Sequence, residues 1–215
     1  MRLIFSITVV ILFSFNIIAR EIGETEITTE DGIEVFQDEK YYLLKRNVKI
    51  LSDNFNLNAK EVKIDFDKSL YDITELNAKG EVNFVSSKFG LNSISDSLKF
   101  EVKIEKLKVS GKNSELITTD IRMYSDGFIE INNLSGDFKL EGPNSKLINE
   151  SIFINAEKID GIFSNIGDQK EITFLNVIDK KISYVKNNNT EMYAKKINFD
   201  NKTSIIELID NVVII

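Results

Sequence analysis

The residues of this chain that could perform acid–base chemistry are carboxylates, because the 215-residue sequence contains no histidine and no cysteine. Two pairs, Asp65 with Asp67 and Glu24 with Glu26, are spaced two apart, so each pair would share one face of a strand. Paired carboxylates serve glycoside hydrolysis. Here they lie in polar positions among lysines, and no nucleophile motif accompanies them, which is typical of a solvated surface. We therefore expect no enzymatic activity.

The missing residue types exclude other kinds of site. Without His and Cys, the usual zinc sites, the serine–histidine and cysteine–histidine nucleophiles, and disulfides are all ruled out. Ser110-Gly111-Lys112 lacks the rest of a phosphate-binding loop, and Asp53-Asn54 lacks a full set of calcium ligands. A formal charge of −7 argues against a nucleic-acid partner, which favours a basic face. The sequence predicts no metal, no cofactor and no nucleic acid.

The first part of the chain has the pattern of an export signal. Arg2 precedes an uncharged apolar run over residues 3–19, and charged residues resume at Arg20 and Glu21. A short positive start, an apolar stretch and a small residue predict a signal peptide, residues 1–19, cleaved after Ala19. An uncleaved membrane anchor is the alternative, although this run is close to the minimum length of a spanning helix, about 17 residues. Both interpretations send the remainder of the chain across a membrane.

Beyond Arg20, apolar and polar residues alternate with a period of two. Val62–Phe66 and Leu98–Ile104 are clear cases, and turn-forming pairs such as Asp31-Gly32 separate such stretches. This pattern predicts antiparallel strands with one buried face and one wet face, and no helix after the N-terminal segment. The alternation breaks between Ile104 and Leu107, which predicts a bulge or bend there.

One sequence segment after Arg20 occurs twice, 34 positions apart. Residues 48–66 (VKILSDNFNLNAKEVKIDF) align without a gap on residues 82–100 (VNFVSSKFGLNSISDSLKF). Such a repeat predicts stacked units that share one apolar interior, and no Pro/Gly/Ser-rich linker interrupts it, so residues 20–215 are predicted to form one domain. Weaker copies recur at residues 138–140 (in the place of 48–50) and 154–159, at 182–184 and 192–197, and at 211–214.

The repeated phrase resembles the OstA-like repeat, which builds LptA, LptC and the amino-terminal domain of LptD. The phrase is Asn47-Val48-x-Ile50, a turn, then Leu57-x-Ala59-x-x-Val62-x-Ile64, and the stretch Glu30–Phe66 is most like the LptA type. The resemblance covers roughly residues 25–215, although 101–133 follow the repeat poorly. That departure, and a chain longer than a minimal LptA, leave a membrane-anchored LptC-like role open.

The resemblance implies an all-β fold, an open and twisted antiparallel β-jellyroll built from repeats and preceded by the signal helix. It also implies a periplasmic lipopolysaccharide transport protein that bridges the inner and outer membranes. Acyl chains would lie in the interior, the phosphate-bearing sugars would face outward, and copies would stack head to tail. The implied partners are lipopolysaccharide and other OstA-like transport components at both membranes.

The same resemblance assigns the acyl-chain contacts to the inward apolar positions of the repeats. From the residues alone, such positions are normally a packed core, so a periplasmic structural β-solenoid without lipid is the competing interpretation. Ala59, Ala156 and Ala194 recur at one place in the unit, where a small residue leaves room for a backbone or a chain, or simply packs closely. The predicted lipid-facing residues are Val48, Ile50, Leu57, Ala59, Val62, Ile64, Val82, Phe84, Leu91, Leu98 and Phe100.

The composition of the last five residues predicts an edge strand that pairs with another molecule. Asn211–Ile215 is apolar and uncharged, and natural edge strands are usually blunted by charge, proline or bulges. Pairing with a strand of another molecule would cover it, so Val212, Val213 and Ile214 are the predicted oligomer edge. A loop of the same molecule covering the strand is the alternative.

Overall fold

The computed structural model describes residues 25–166 and 169–215, so the predicted signal segment, residues 1–19, lies outside the described residues. Within the described residues all the strands are antiparallel, and they are joined by turns and by one 3-10 turn at Val102–Ile104. This turn ends on Glu105 in a left-handed conformation, at the place where the sequence predicted a bend. The strands are β1 (Glu26–Thr28), β2 (Ile33–Phe36), β3 (Tyr41–Leu51), β4 (Asn56–Phe66), β5 (Ile73–Ser86), β6 (Leu91–Glu101), β7 (Lys106–Ser110), β8 (Ser114–Ile117), β9 (Arg122–Ser125), β10 (Phe128–Asn132), β11 (Asp137–Glu141), β12 (Lys146–Ile148), β13 (Ile152–Asn155), β14 (Lys158–Ile166), β15 (Gln169–Asn187), β16 (Thr190–Asp200), β17 (Ile205–Ile209) and β18 (Val213–Ile214).

The strands form one sheet that is folded lengthwise into two layers. Long strands contribute to both: residues 41–45 of β3 pair in one layer, and residues 48–51 pair in the other after a register shift. In the middle of the chain the long strands are replaced by short ones that stay in a single layer, which explains why residues 101–133 follow the repeat poorly. The first layer has the order β2-β3-β4-β5-β6-β7-β10-β11-β14-β15-β16-β17, and the second layer has the order β1-β3-β4-β5-β6-β8-β9-β12-β13-β15-β16-β18.

Each copy of the repeated unit is a hairpin that begins in the second layer and returns to the first. Residues 48–66 are the end of β3 with β4, and residues 82–100 are the end of β5 with β6. The weak copy at residues 211–214 begins with the same backbone bend as residues 47–50, because Asn47 and Asn211 both have positive φ. The placement of residues 138–140 at the position of 48–50 was wrong: β11 lies in the first layer. Both layers have the same apolar alternation, so a period of two cannot distinguish them.

A row of small residues, which we call the crease, marks the line where the two layers join. Its members occupy neighbouring positions on successive strands of the second layer, and all are buried. Small side chains let the two layers approach each other closely along this line. The crease consists of Val48, Ala59, Val82, Ser95, Ser114, Ser125, Ser145, Ala156, Ser183 and Ala194.

Serine hydroxyls at the crease bond to carbonyl groups that the sharp bend removes from the strand ladders. The Oγ atom of Ser114 donates to the carbonyl of Gly111 at 2.9 Å, and Ser145 Oγ donates to the carbonyl of Gly142 at 2.8 Å. Ser183 Oγ donates to a carbonyl of β16 at 3.2 Å. These hydrogen bonds matter because an unpaired buried backbone group costs about 1–3 kcal/mol.

Left-handed residues make most of the bends from the first layer into the second. Gly142 shows why glycine is required at one of them: a Cβ atom there would lie 2.7 Å from the backbone of Gly127, and its φ is +132°. The left-handed pairs at these bends are Arg46 and Asn47, Gly80 and Glu81, Gly111 and Asn113, Gly142 and Asn144, and Asp210 and Asn211.

We expect the crease to tolerate no large side chain. Ala194 is fully buried between Ser183 and the last strand, whereas the next residue, Lys195, is exposed. Ala194→Leu should lower the free energy of unfolding in urea by about 1–3 kcal/mol, because overpacking forces the layers apart. Lys195→Leu is the matched control and should change it by less than about 0.5 kcal/mol. Equal stability of the two variants would contradict the role given to the crease.

Candidate functional site: the interior between the layers

Two rows of residues, apolar except for Ser93, line the interior along the length of the molecule. Each row follows directly paired positions from strand to strand, so its side chains point the same way. The row next to the crease in the first layer is Leu44, Val62, Ala78, Leu98, Val109, Ile129, Leu140, Ile159, Val177 and Ile197. The facing row of the second layer is Ile50, Leu57, Phe84, Ser93, Leu116, Met123, Leu147, Ile154, Val185 and Met192.

The structure places all the sequence-predicted lipid-facing residues inward and brings them into one cluster. Each has an exposed fraction of 7% or less. Val62, Ile64, Leu98 and Phe100 belong to the first layer, and the remaining members belong to the second. Their contact with lipid stays a prediction.

In this structure the protein's own side chains fill that part of the interior. Leu57, Val62 and Ile64 have no exposed surface at all. An acyl chain could therefore enter only where side chains move aside or the two layers separate. The interior is therefore a closed core in this structure, which is the state that the lipid-free β-solenoid interpretation predicts.

At the two repeat hairpins, two phenylalanines close the side of the interior that lies opposite the crease. Phe55 and Phe89 stand at the turns of the two repeat hairpins in the second layer, and both are half-buried against the core. Their ring centroids lie 6.4 Å and 5.7 Å from the ring of Phe100 in the first layer. Phe84 completes the cluster at 5.7 Å from Phe100. Only the pairing of the layers, and no signal in the sequence, shows that Phe55 and Phe89 form this closure.

Inward apolar residues are exposed at both ends of the sandwich. Ile33 of β2 is paired with buried Leu44, yet it is 51% exposed. At the other end Ile214 of β18 is paired with buried Met192 and is 59% exposed. Within the described residues no further strand pairs beyond β2 or β18, so Val213 and Ile214 lie at a sheet edge and Val212 lies just before it. Contact of Val212, Val213 and Ile214 with another molecule stays a prediction.

Three of the four carboxylates considered for chemistry, Asp65, Asp67 and Glu26, lie on the outer surface. Asp65 forms an ion pair with Lys63, and Asp67 lies 3.5 Å from the Nζ atom of Lys40. Glu26 is exposed in β1, and Glu24 lies outside the described residues. In the parts of the chain that the structure describes, no three acidic side chains are grouped so that they could hold a metal ion.

One titratable group belongs to the interior. Tyr42 occupies an inward position of the first layer, paired with Ile64, and is buried. Burial raises the pKa of the Tyr42 phenol to about 12, and the nearby Tyr71 adds a smaller electrostatic contribution in the same direction. The fold thus favours the neutral phenol.

Within residues 25–166 and 169–215, no helix has the length and apolar character needed to span a membrane.

Comparisons with known proteins assign no family. No protein-family model matches the sequence, and no curated protein matches it. Among solved structures, the chain is similar to LptH of Pseudomonas aeruginosa, the LptA-homologous periplasmic component of its lipopolysaccharide transport device, over 90% of this chain and 94% of that chain. The identity is 9% and the TM-score is 0.28, so this likeness supports no statement about function.

Burial of Tyr42 predicts a loss of stability at alkaline pH. A folded-state pKa above the unfolded value of about 10 gives stability that is complete below pH 10 and is lost as the pH rises towards 12. Tyr42→Phe should therefore flatten the decline of the unfolding free energy above pH 10, measured by urea titration. Tyr71→Phe, the same change at a phenol that is 93% exposed, removes only the smaller electrostatic contribution and should keep most of the wild-type decline. Identical profiles for both variants would contradict the assignment.

Proposed function

We propose that this chain is an exported carrier of lipopolysaccharide that holds acyl chains between its two layers. The observation that carries the proposal is the continuous apolar lining, which runs through the molecule and stays exposed at both ends, at Ile33 and Ile214. A self-contained sandwich normally blunts its edges with charge, proline or bulges. The role is one of binding, without catalysis, in the periplasm between the inner and outer membranes.

The OstA-like motif supports the same role. The residues that carry the resemblance, among them Ile50, Leu57 and Val62, are inward residues of the lining. The polar residues between them, such as Lys49 and Asn58, pair with each other on the outer face. The motif residues therefore form one wall of the interior.

An acyl chain would gain free energy by leaving water for the apolar interior. Each buried methylene contributes about 0.8 kcal/mol, so a chain of about twelve carbons contributes roughly 10 kcal/mol. The acyl chain would enter on the side closed by Phe55 and Phe89, because these two rings are only half-buried. The sugars would remain outside on this side, where the exposed Nζ atom of Lys88, 4.8 Å from the ring of Phe89, offers a positive charge to a phosphate.

Copies would join end to end through the exposed ends of both layers. The second layer begins at β1 and ends at β18, and the first layer begins at β2 and ends at β17. Strand pairing between the end of one copy and the start of the next would continue both layers and cover the exposed lining. Such a head-to-tail contact repeats without closing, so it generates a filament. Other OstA-like transport components would occupy its two ends.

Two other roles stay distinct from this proposal. A periplasmic structural β-solenoid that binds no lipid is favoured by one observation, the complete burial of residues such as Leu57 and Ile64. An LptC-like component anchored in the inner membrane differs only in retaining residues 1–19, which lie outside the described residues.

Photo-crosslinking distinguishes the lipid carrier from the solenoid. A photoreactive amino acid at Ile50 or Phe84, both buried, should label the acyl chains of added lipopolysaccharide. The same probe at Lys63 should not, because Lys63 lies on the outer face of β4 beside Asp65. Labelled lipid is measured by gel and mass spectrometry. Equal labelling at all three positions, or none at any, would favour the solenoid.

Removal of the last strand tests the end-to-end contact. A variant that lacks residues 211–215 should lose concentration-dependent oligomers in analytical ultracentrifugation, because β18 and its exposed apolar residues are gone. Its thermal unfolding should be followed in parallel to confirm that the remaining sheet is folded. Filaments that form at the wild-type threshold would rule out this edge.

A further inference from the structure

Ser93 interrupts the apolar lining. It belongs to the second-layer row that runs from Ile50 to Met192, where it is paired with Phe84 on one side and Leu116 on the other. It is the single polar member of that row, and its exposed fraction is 1%. A hydroxyl group therefore faces the interior at a place where every equivalent position is a large apolar side chain.

A difference in strand register between the two repeat hairpins places Ser93 in the apolar lining. In the first copy Val48 is paired with Ala59, the residue that aligns with Ser93. In the second copy Val82 is paired with Ser95, two residues further on. Ser95 thus takes the place at the crease, and Ser93 moves into the lining.

The Ser93 hydroxyl lacks a partner. Among the described residues, its Oγ atom is the buried side-chain oxygen or nitrogen that makes no hydrogen bond. Ser95, its neighbour on the same face of β6, donates to the carbonyl of Ser97 at 3.0 Å. A buried hydroxyl without a partner destabilises a protein by about 1–3 kcal/mol, so the free protein retains an unsatisfied donor in its interior.

The position of this donor lies beside the closure. Phe84, the direct neighbour of Ser93 across the sheet, has its ring 5.6 Å from Phe55 and 5.7 Å from Phe100. Movement of Phe55 and Phe89 would open a path that reaches the lining at Ser93. A ligand that enters there brings its apolar part against Phe84 and Leu116, and an oxygen near the head of its chain comes within reach of the hydroxyl.

We propose that Ser93 donates a hydrogen bond to the carbonyl oxygen of an ester-linked or amide-linked acyl chain, and so selects acyl chains over plain alkyl chains. This inference rests on the proposed function, because it assigns a specificity-determining residue to the same interior. The hydroxyl gains in the complex the partner that it lacks in the free protein.

The test compares two amphiphiles that differ only in the carbonyl group. Binding of 1-lauroyl-lysophosphatidylcholine and of its 1-O-dodecyl ether analogue is measured by titration calorimetry below the concentration of micelle formation. The wild type should prefer the ester by about tenfold, the factor expected for one hydrogen bond to a buried donor. Ser93→Ala should bind both equally, and without ligand its urea midpoint should rise.

Ser95→Ala is the matched control on the same strand and face. It loses a hydrogen bond that is already made, so its urea midpoint should fall while the ester preference stays. A preference that persists in Ser93→Ala, or a fall of its midpoint, would overturn the role of Ser93 and leave acyl-chain binding intact. Failure of the wild type to bind either amphiphile would contradict the proposed function and this inference together.

Discussion

The bend that folds one sheet into two layers is the constraint on which the rest of this molecule depends. Where each chain segment passes from layer to layer, strand pairing is interrupted and carbonyl groups lose their ladder partners. Ser145 and Ser183 supply hydroxyl donors at these points, and the small side chains of the crease allow the layers to approach. Left-handed residues such as Asn47 provide the sharp turn without breaking the strands apart. If the crease were wider, the facing apolar rows could not touch each other.

The interior and the function proposed for it follow from that geometry. Because each strand adds one residue to each row, the rows extend with the number of strands and have no intrinsic end. The ends therefore stay apolar, and the chain leaves Ile33 and Ile214 uncovered. Opposite the crease the layers are held by side chains alone, through rings such as Phe55, so we propose that the interior opens on that side. A fold whose layers are joined by the backbone along one line and by side-chain packing along the other is suited to hold an elongated apolar ligand.

Most of the fold could be predicted from the sequence, because alternation and turn residues are local signals. The inward direction of Val62 and Ile64 follows from their spacing, and the bend at Asn211 follows from its likeness to Asn47. The layer to which a strand belongs could not be predicted, as the wrong placement of Phe138 shows, because both layers have the same period. Ser93 could not be found either: its alignment with Ala59 predicts a crease residue, and a register shift of two residues leaves no trace in an alternating pattern.

The central claim is that acyl chains occupy the interior between the layers, and methyl NMR tests it most directly. Isoleucine methyl groups can be labelled selectively, and the chain has isoleucines both inside and outside. Nuclear Overhauser effects to the acyl methylenes of bound lipopolysaccharide should arise from Ile50 and Ile64, which are buried. They should be absent from Ile94 and Ile104, which face solvent. Contacts from Ile94 and Ile104 alone would mean that lipid coats the outer surface, and the claim would be wrong.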